Sequence, residues 1–265
     1  MIIIYKDDIN LLITQFYRVA SKGWIESVSN SLGSIGLTFE KQLGKKTDCL
    51  FFPDYYGIEI KCLGRFSRYP ISLFTCAFDG PGLNEINNIV EKYGYYDKVY
   101  TDKKVLFEKL SFKNKCTVND TYQFKLELDK DEEKIFLCVY DLTDNLLERQ
   151  SFVYLISIYN HLMLKLNRMA LVRASKKKIN NKTYFRYYKI NIYELISFEK
   201  FVELLRNDDI IVSLISRIGK SGNDAGRYRN KNLVFQIKKD KLNKIFNLLY
   251  SYNYDTDKFG SIKID

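Results

Sequence analysis

The sequence is poor in the residues that many catalytic and metal-binding motifs require. A single histidine, His161, stands among 265 residues, which excludes mechanisms that need two or three histidines, such as those of H-E-x-x-H zinc proteases. The five cysteines form no C-x-x-C pair, and their odd number argues against both a disulfide framework and a zinc ribbon. Any chemistry must therefore use carboxylates, lysines and a hard metal ion.

Long apolar runs and nucleotide-binding motifs are also missing. No apolar run in the chain reaches the roughly 18 residues of a membrane span. Neither a G-x-x-x-x-G-K-S/T loop nor a G-x-G-x-x-G motif after a strand is present. The apolar start, residues 1–5, is too short and wrongly flanked for a secretory signal. These absences predict a cytoplasmic protein with no membrane span.

Basic charge and hydrophobic residues are what the chain has in quantity. Hydrophobic residues make up 46% of it, enough for a substantial core, and 42 basic against 32 acidic residues give a net charge of +10. A basic excess favours a polyanionic partner, which is either nucleic acid or an anionic membrane surface. Because no amphipathic basic helix supports a membrane surface, we expect nucleic acid.

Helical and extended hydrophobic patterns alternate along the chain. Helical spacing is expected over residues 7–30, 37–44, 151–168, 197–206 and 240–251. The two-residue period of strands is expected over 57–62, 71–76, 121–128, 135–141, 170–174, 183–190, 210–215 and 232–238. A short apolar stretch also occupies residues 49–52. Helices and strands mixed in this order predict a mixed α/β or α+β fold.

One stretch has a spacing typical of metal-dependent phosphodiester hydrolysis. It follows the pattern P-D-x4-E-x-K, with Pro53, Asp54, Glu59 and Lys61. Two carboxylates supply the hard oxygen ligands that Mg²⁺ prefers, and a nearby lysine stabilises charge on the phosphate or orients the attacking water. Strand alternation predicts that Glu59 and Lys61 share one face, with the neighbouring isoleucines pointing into the core.

Two other places in the chain match a relaxed form of the same spacing. One contains Asp97, Asp102 and Lys104, and the other contains Glu127, Glu132 and Lys134. The first has no apolar residue between its last charges, and the second lies in a charged run typical of a solvated hairpin tip. Only the copy at residues 53–61 follows a proline and lies on an alternating apolar strand, so it is the predicted site.

The neighbourhood of this motif adds a second signal. Upstream, residues 33–44 have the form G-x-x-G-x-T-x-E-x-x-L-G, and downstream lies the strand at 71–75. In this order the segments resemble the restriction endonucleases of the MutH/MvaI/BcnI group, a branch of the PD-(D/E)-x-K nuclease superfamily. The resemblance is strongest over residues 22–76 and returns more faintly over 217–246.

The resemblance implies a catalytic quartet and a cofactor. Asp54 and Glu59 fall on the family's metal-binding carboxylates, and Lys61 falls on its catalytic lysine. Glu40 falls on an additional active-site glutamate carried by a helix, which we also expect to contact the metal. The implied cofactor is Mg²⁺, with Mn²⁺ as a substitute. His161 lies in a predicted helix, where we expect a structural role.

The resemblance also implies a fold and an activity. The fold is a restriction-endonuclease-like core with a mixed central sheet flanked by helices, in two lobes around a DNA cleft. Residues 1–150 are the expected catalytic lobe and 151–265 the DNA-recognition lobe, although the lobes can exchange segments. The activity is that of a type II restriction endonuclease that cuts double-stranded DNA and leaves 5′-phosphate ends. A monomer is favoured, a dimer on DNA stays open, and a cognate methyltransferase is expected in the host.

Two basic segments are candidates for binding DNA. The first is a glycine-containing loop with Arg217, Lys220, Arg227, Arg229 and Lys231. Arginine on a short loop can form two hydrogen bonds with guanine, whereas lysine mostly contacts phosphate. Family members often carry Asp-His-Gly just before the next strand, and residues 226–231 lack that histidine, so the target sequence does not follow from the resemblance. The second segment contains Arg173 and Lys177 and is a candidate for phosphate contacts.

Two other functions stay open at this point. A methyl-directed or mismatch-repair nicking endonuclease like MutH would share all four catalytic residues and differ in its partners. A non-catalytic DNA-binding module descended from a nuclease is the weaker alternative. Such descendants usually lose at least one of the four residues, and all four are present here.

Overall fold

The structure is a computed structural model that describes residues 3–31, 33–44 and 53–257. The apolar stretch predicted at 49–52 lies outside the described residues. The chain divides into two compact units. The first unit contains the described residues up to Tyr69, Met163–Ile196, and those from Phe246 onward; the second contains Pro70–Leu162 and Ser197–Ile245.

The helices and strands follow one another in a mixed order. The α-helices are α1 (Ile3–Ala20), α2 (Ser34–Gln42), α3 (Glu85–Tyr93), α4 (Leu155–Lys165) and α5 (Phe198–Arg206). The strands are β1 (Ile25–Glu26), β2 (Glu59–Gly64), β3 (Ile71–Cys76), β4 (Tyr95–Tyr96), β5 (Lys104–Leu110), β6 (Cys116–Val118), β7 (Tyr122–Asp129), β8 (Lys134–Asp141), β9 (Leu146–Tyr154), β10 (Arg168–Ile179), β11 (Lys182–Leu195), β12 (Ile210–Ser216), β13 (Asn232–Ile237) and β14 (Phe246–Asn253). No helix in the described part of the chain is long and apolar enough to cross a membrane.

The first unit is built on a mixed sheet with the order β1-β11-β10-β2, and β14 also pairs with β11. Strands β10 and β2 run parallel, with Met169 opposite Glu59 and Leu171 opposite Lys61, and the other pairs are antiparallel. Parallel neighbouring strands need a long connection. In the sequence, the connection from β2 to β10 contains Pro70–Leu162, which is much of the second unit.

This connection explains why the units do not divide near residue 150. The first unit is assembled from separate segments, because β10, β11 and β14 return to the sheet that β2 begins. A boundary drawn along the sequence cannot represent such an arrangement. The assignment of catalysis to residues 1–150 and of DNA recognition to 151–265 stays a prediction.

The core of the first unit lies between the sheet and its helices. Helix α1 contributes an apolar stripe at the helical spacing expected from the sequence, with Ile9, Leu12, Ile13, Phe16 and Val19 buried. Phe39 of α2 and inward side chains of the sheet complete this cluster. Helix α1 ends at Ala20 rather than near residue 30, because Gly23 takes a φ of +69° and the next residues pair with β11.

The second unit contains two sheets, with the orders β3-β13-β12-β5-β4 and β6-β7-β8-β9. Aromatic side chains pack around Phe74, whose ring stacks on Phe235 with centroids 4.6 Å apart. The His161 ring lies parallel to Phe74 at 5.2 Å. This packing agrees with a structural role for the histidine.

Besides the first helix, two further predicted helices are partly or wholly wrong. The helix expected over 151–168 begins at Leu155, because residues up to Tyr154 continue β9. The helix expected over 240–251 is a short 3₁₀ segment, Lys239–Lys244, followed by β14. The apolar residues of β14 fit both the helical period and the two-residue strand period. Pairing with seven residues of β11 makes this segment a strand. Helix α3 was not predicted, although its buried residues recur at helical spacing.

Candidate active site

A tight turn brings Asp54 back to β2. The backbones of Tyr55 and Ile58 exchange two hydrogen bonds of 3.0 and 2.9 Å, and Tyr56 and Gly57 between them have φ angles of +43° and +77°. Positive φ at both central residues is typical of a type I′ turn. The turn reverses the chain, so that Asp54 Oδ2 accepts a hydrogen bond from the Ile60 amide at 3.0 Å.

Glu59 and Lys61 lie on one face of β2. Glu59 is 3% exposed, and its Oε1 accepts a hydrogen bond from Lys61 Nζ at 2.7 Å. Ile58 and Ile60 belong to the hydrophobic core on the other face. The predicted division of the two faces is therefore confirmed.

A second lysine approaches the same carboxylate. Lys165, the last residue of α4, places its Nζ 3.8 Å from Glu59 Oε1. The sequence analysis did not identify Lys165, because it is distant along the chain and outside the motif. Its one signal is its position just before a strand that pairs with β2, and that pairing is a tertiary feature.

The Glu59 carboxylate is buried with incomplete compensation. Burial raises its pKa, Asp54 raises it further by repulsion, and Lys61 and Lys165 oppose the shift. Its Oε2 atom is buried and has no hydrogen-bond partner among the described residues. A buried polar atom without a partner is costly and calls for an unseen water or ion. The described site thus has an electrostatic reason to bind a cation at Glu59.

The donor set of Asp54 and Glu59 fits a hard divalent cation. Mg²⁺ is usually held by one or two carboxylates, together with waters and substrate phosphates. Within the described ranges, no group of three or more His, Cys, Asp or Glu side chains is placed to hold a metal ion. Asp54 and Glu59 supply the carboxylates of the candidate site described above.

Glu40 reaches the same strand from the helix side. Burial raises the pKa of the Cys62 thiol, and the carboxylates of Glu40 and Asp54 raise it further. Cys62 packs against the core cluster that α1 and α2 cover, so Glu40 lies near this side of β2. The structure brings Asp54, Glu59 and Lys61 together, and the role of Glu40 as a metal ligand stays a prediction.

The two decoy copies of the motif form no comparable site. Glu132 is bound to Lys134 at 2.6 Å on an exposed hairpin tip, and Glu127 accepts a hydrogen bond from Tyr140. Asp97 is paired with Lys220. Each of these carboxylates has its own partner, whereas Glu59 has an oxygen without one in the described part of the chain.

The basic C-terminal loop folds as a short two-stranded ribbon. Ile218 pairs with Tyr228, and the Arg229 amide donates to the Arg217 carbonyl at 2.7 Å. Side-chain alternation therefore puts Arg217 and Arg229 opposite each other on one face. Partial burial and the charges of these two arginines lower the pKa of Lys231. Like charges held opposite each other are destabilising, and the Asp224 carboxylate, 3.6 Å from the Arg229 guanidinium, offsets part of this repulsion.

Residues 97–103 form hydrogen bonds with this basic ribbon. Lys103 Nζ donates to the Gly226 carbonyl at 2.6 Å, and the Tyr100 ring lies against Gly226. Lys220 donates to Asp97, and this bond, with the amides of Tyr100 and Val99, lowers the pKa of Asp97 to about 2. Lys220 was predicted to bind DNA, and its pairing with Asp97 was not predicted. The contact of Lys103 with the ribbon was not predicted either.

The second basic segment lies in the first unit. Arg173 is opposite Leu63 in the parallel pair of β10 and β2, two positions beyond Lys61 and thus on the same sheet face. Lys177 lies over the Trp24 ring, with its Nζ 4.3 Å from the centroid. Arg227 is exposed on the ribbon. The assignment of all these residues to DNA binding stays a prediction.

Comparison with known proteins decides the family. The model of the MvaI/BcnI restriction endonuclease family matches residues 13–246, which is most of the chain and includes the motif and the ribbon. The chain belongs to the MvaI/BcnI restriction endonuclease family. Among curated proteins, no sequence matches this chain significantly.

Solved structures of restriction endonuclease MvaI share the fold. The complex of MvaI with its cognate DNA substrate matches with a TM-score of 0.83 and 26% identity, covering 92% of this chain and 97% of that one. MvaI in the absence of DNA matches with a TM-score of 0.55 and 24% identity, covering 91% and 96%.

Family and fold together settle the general activity. The mixed α+β fold predicted from the sequence is confirmed. As a member of the MvaI/BcnI family, this protein is a type II restriction endonuclease. Restriction endonucleases typically depend on a metal ion, which agrees with the carboxylate pair at the turn.

Proposed function

We propose that the protein hydrolyses phosphodiesters of double-stranded DNA at a specific sequence with Mg²⁺, leaving 5′-phosphate and 3′-hydroxyl ends. The single observation that carries this proposal is the buried Glu59 carboxylate, whose Oε2 has no partner among the described residues. Beside it lie Asp54 and Lys61. Mn²⁺ is expected to substitute, because it accepts the same oxygen ligands.

Asp54 and Glu59 would hold the metal ion. Each has an oxygen engaged already, Asp54 Oδ2 with the Ile60 amide and Glu59 Oε1 with Lys61, and these bonds fix the direction of the other oxygen. When bound, a divalent ion supplies positive charge to the phosphate and lowers the pKa of water. Glu40, which the resemblance adds to the quartet, would assist from the helix side.

Lys61 supplies charge and orientation at the scissile phosphate. Its Nζ is held by Glu59 Oε1, so the ammonium is positioned before the substrate binds. A preorganised donor stabilises charge that develops in the transition state at little reorganisation cost. In the reaction, the water oxygen bonds to phosphorus and the 3′-oxygen leaves with a proton.

The basic ribbon is the proposed reader of the DNA sequence. Its exposed arginines and the width of a two-stranded ribbon suit the major groove, which admits such a ribbon and presents guanine acceptors. Support for double-stranded DNA as the partner comes from MvaI, which was solved with its cognate DNA substrate. Arg173 and Lys177 are proposed to contact phosphates. We propose a monomer, a cognate methyltransferase in the host, and a cytoplasmic location.

The proposal is tested by incubating the full chain with unmethylated plasmid or phage DNA and Mg²⁺, then sequencing the ends. We expect fragments with a common end sequence and a 5′-phosphate. Cleavage should stop in EDTA, and Ca²⁺ should support binding without cutting, because it is a poorer activator of water. Full-rate cleavage in EDTA would contradict the metal-dependent mechanism.

The same digest separates cutting from nicking. A plasmid that becomes linear supports cutting of both strands, whether by sequential action of one monomer or by a dimer on DNA. A plasmid that accumulates only as a nicked circle would support the nicking endonuclease instead. Sedimentation of the protein with and without a cognate duplex then distinguishes monomer from dimer.

A further inference from the structure

The loop that follows β2, residues 65–69, is rich in exposed aromatic and basic side chains. Phe66 is 86% exposed and Tyr69 is 80% exposed, and Arg65 and Arg68 are exposed beside them. The proposed active site uses none of these four residues. Large aromatic side chains gain much from burial, so two on one short loop point to a surface that a partner covers.

The backbone of this loop is anchored to the catalytic sheet. The Arg65 amide donates to the Ala174 carbonyl of β10 at 2.8 Å, and the Ser67 amide donates to the Gly64 carbonyl at 3.1 Å. The Arg65 guanidinium lies 5.8 Å from the Phe66 ring and 5.7 Å from the Tyr188 ring. The exposed rings therefore stand on a fixed turn, which limits the entropy lost on binding.

Charge identifies the partner as a polyanion. No acidic residue occurs in the sequence between Glu59 and Asp79, whereas Lys61, Arg65 and Arg68 do. The neighbouring strand β10 adds Arg173 and the lysines that follow it. An aromatic surface surrounded by arginines suits duplex DNA, because rings can make apolar contacts with sugars and base edges while guanidinium groups bind phosphates.

Position ties the loop to the same duplex that the active site cuts. Arg65 is four positions after Lys61, which spans about 13 Å at the rise of a strand. That is the length of about four base pairs of DNA. A duplex with its scissile phosphate at Lys61 therefore extends as far as the loop.

We propose that this loop, called the aromatic loop, binds the DNA duplex beside the scissile phosphate. Phe66 makes an apolar contact with sugars and bases, and the two arginines contact phosphates. The inference rests on the proposed function, because both require duplex DNA. It goes further in assigning the aromatic loop an affinity for DNA that does not depend on the target sequence.

The test is the binding of the full chain to a short duplex of arbitrary sequence in EDTA, measured by fluorescence anisotropy at several salt concentrations. Phe66→Ala should weaken binding about tenfold without changing the salt dependence, because an apolar contact carries no charge. Phe66→Tyr should bind normally, because the ring remains. Arg68→Ala should weaken binding and reduce the slope of log K against log salt by about 0.9.

Two control variants match these changes elsewhere. Leu248→Ala removes a side chain that is 54% exposed on β14 of the same sheet, and Lys130→Ala removes an exposed charge from the acidic hairpin tip of β7 and β8. Both should bind as the unchanged protein does. Because Phe66 is so exposed, its replacement should leave thermal unfolding unchanged.

The outcomes separate this inference from the proposed function. If Phe66→Ala binds like Leu248→Ala while the unchanged protein still cleaves, the aromatic loop is not a DNA surface and the proposed function stands. If Phe66→Ala weakens binding and Phe66→Tyr restores it, the inference is supported. If the unchanged protein binds no duplex, both are overturned.

Discussion

The candidate active site and the basic ribbon differ in how far they depend on contacts with distant residues. Asp54, Glu59 and Lys61 come from eight consecutive residues, and the turn at Tyr56 and Gly57 with the start of β2 brings them together. The basic ribbon is closed by backbone hydrogen bonds within residues 217–229, and residues 97–103, far away in the sequence, also contact it. Contacts between residues close in the sequence can be predicted from the sequence, whereas contacts with distant residues, such as that of Lys103, cannot.

The same contrast appears in the charges. At the active site a carboxylate is buried, and cations oppose the resulting rise in its pKa. On the basic ribbon, Arg217 and Arg229 face each other, and partial burial together with their charges lowers the pKa of Lys231. The first region holds a buried carboxylate with two lysines beside it, and the second holds several arginines and lysines close together. Each is suited to a different component of the reaction, a metal ion in the first case and DNA in the second.

The largest expected effect tests the active site itself. Asp54→Ala and Lys61→Ala should each lower cleavage by about a hundredfold or more, because they remove a metal ligand and a preorganised charge. Rates of plasmid cleavage under saturating Mg²⁺ measure the loss, and circular dichroism checks the fold.

The decoy copies supply matched controls. Asp102→Ala and Lys104→Ala remove the same residue types from one of these other copies, and cleavage should change little. An inactive decoy variant beside an active Asp54 variant would show that the wrong copy of the motif has been identified.

Sequence reasoning correctly predicted features that depend on residues close together in the sequence. It predicted the helix with Glu40 and the alternating faces of β2, because each depends on residues within a few positions. It predicted residues 217–231 only as a basic loop, and they fold as a ribbon. It missed Lys165 and Lys103, which reach their partners only through tertiary pairing. It also assigned β14 to a helix, because its apolar residues fit two periods and only pairing with β11 decides between them.

The next largest effect tests recognition on the ribbon. Arg227→Ala or Arg229→Ala should weaken binding to the cognate duplex by about 1–3 kcal/mol for each lost pair of hydrogen bonds to a base. Binding to a scrambled duplex should fall much less, because phosphate contacts elsewhere persist. Paired titrations on the two duplexes at two salt concentrations measure both.

Lys177→Ala is the contrasting variant. It should weaken binding to both duplexes equally and make the salt dependence shallower, as the loss of a phosphate contact does. If the arginine variants behave in the same way as Lys177→Ala, the ribbon only holds the DNA backbone and another part of the chain reads the sequence.

A smaller effect is expected at Lys165. Its Nζ lies 3.8 Å from Glu59 Oε1, compared with 2.7 Å for Lys61, so its electrostatic contribution should be weaker. Lys165→Ala should lower the cleavage rate about tenfold, less than Lys61→Ala does. Lys165→Arg should retain most of the rate, because it keeps the charge. An equal loss in both variants would indicate a packing role rather than an electrostatic one.

The smallest expected effect tests whether the position of Asp54 depends on the turn before β2. Gly57 has a φ of +77°, and a Cβ atom added to it would meet nothing within 4 Å. Gly57→Ala should therefore destabilise the protein by about 1 kcal/mol through backbone strain alone, with a modest loss of cleavage as Asp54 shifts away from the Ile60 amide. Gly57→Asn should cost less, because asparagine tolerates positive φ.

Gly64, at the other end of β2, is the matched control for this turn. Its φ is outside the positive range and a Cβ atom there would also meet nothing within 4 Å, so Gly64→Ala should be close to neutral in chemical unfolding and in cleavage. Equal losses from Gly57→Ala and Gly64→Ala would mean that the positive φ at the turn contributes nothing specific. A loss in Gly57→Ala alone, partly relieved in Gly57→Asn, would tie the position of the Asp54 carboxylate to the two turn residues between it and β2.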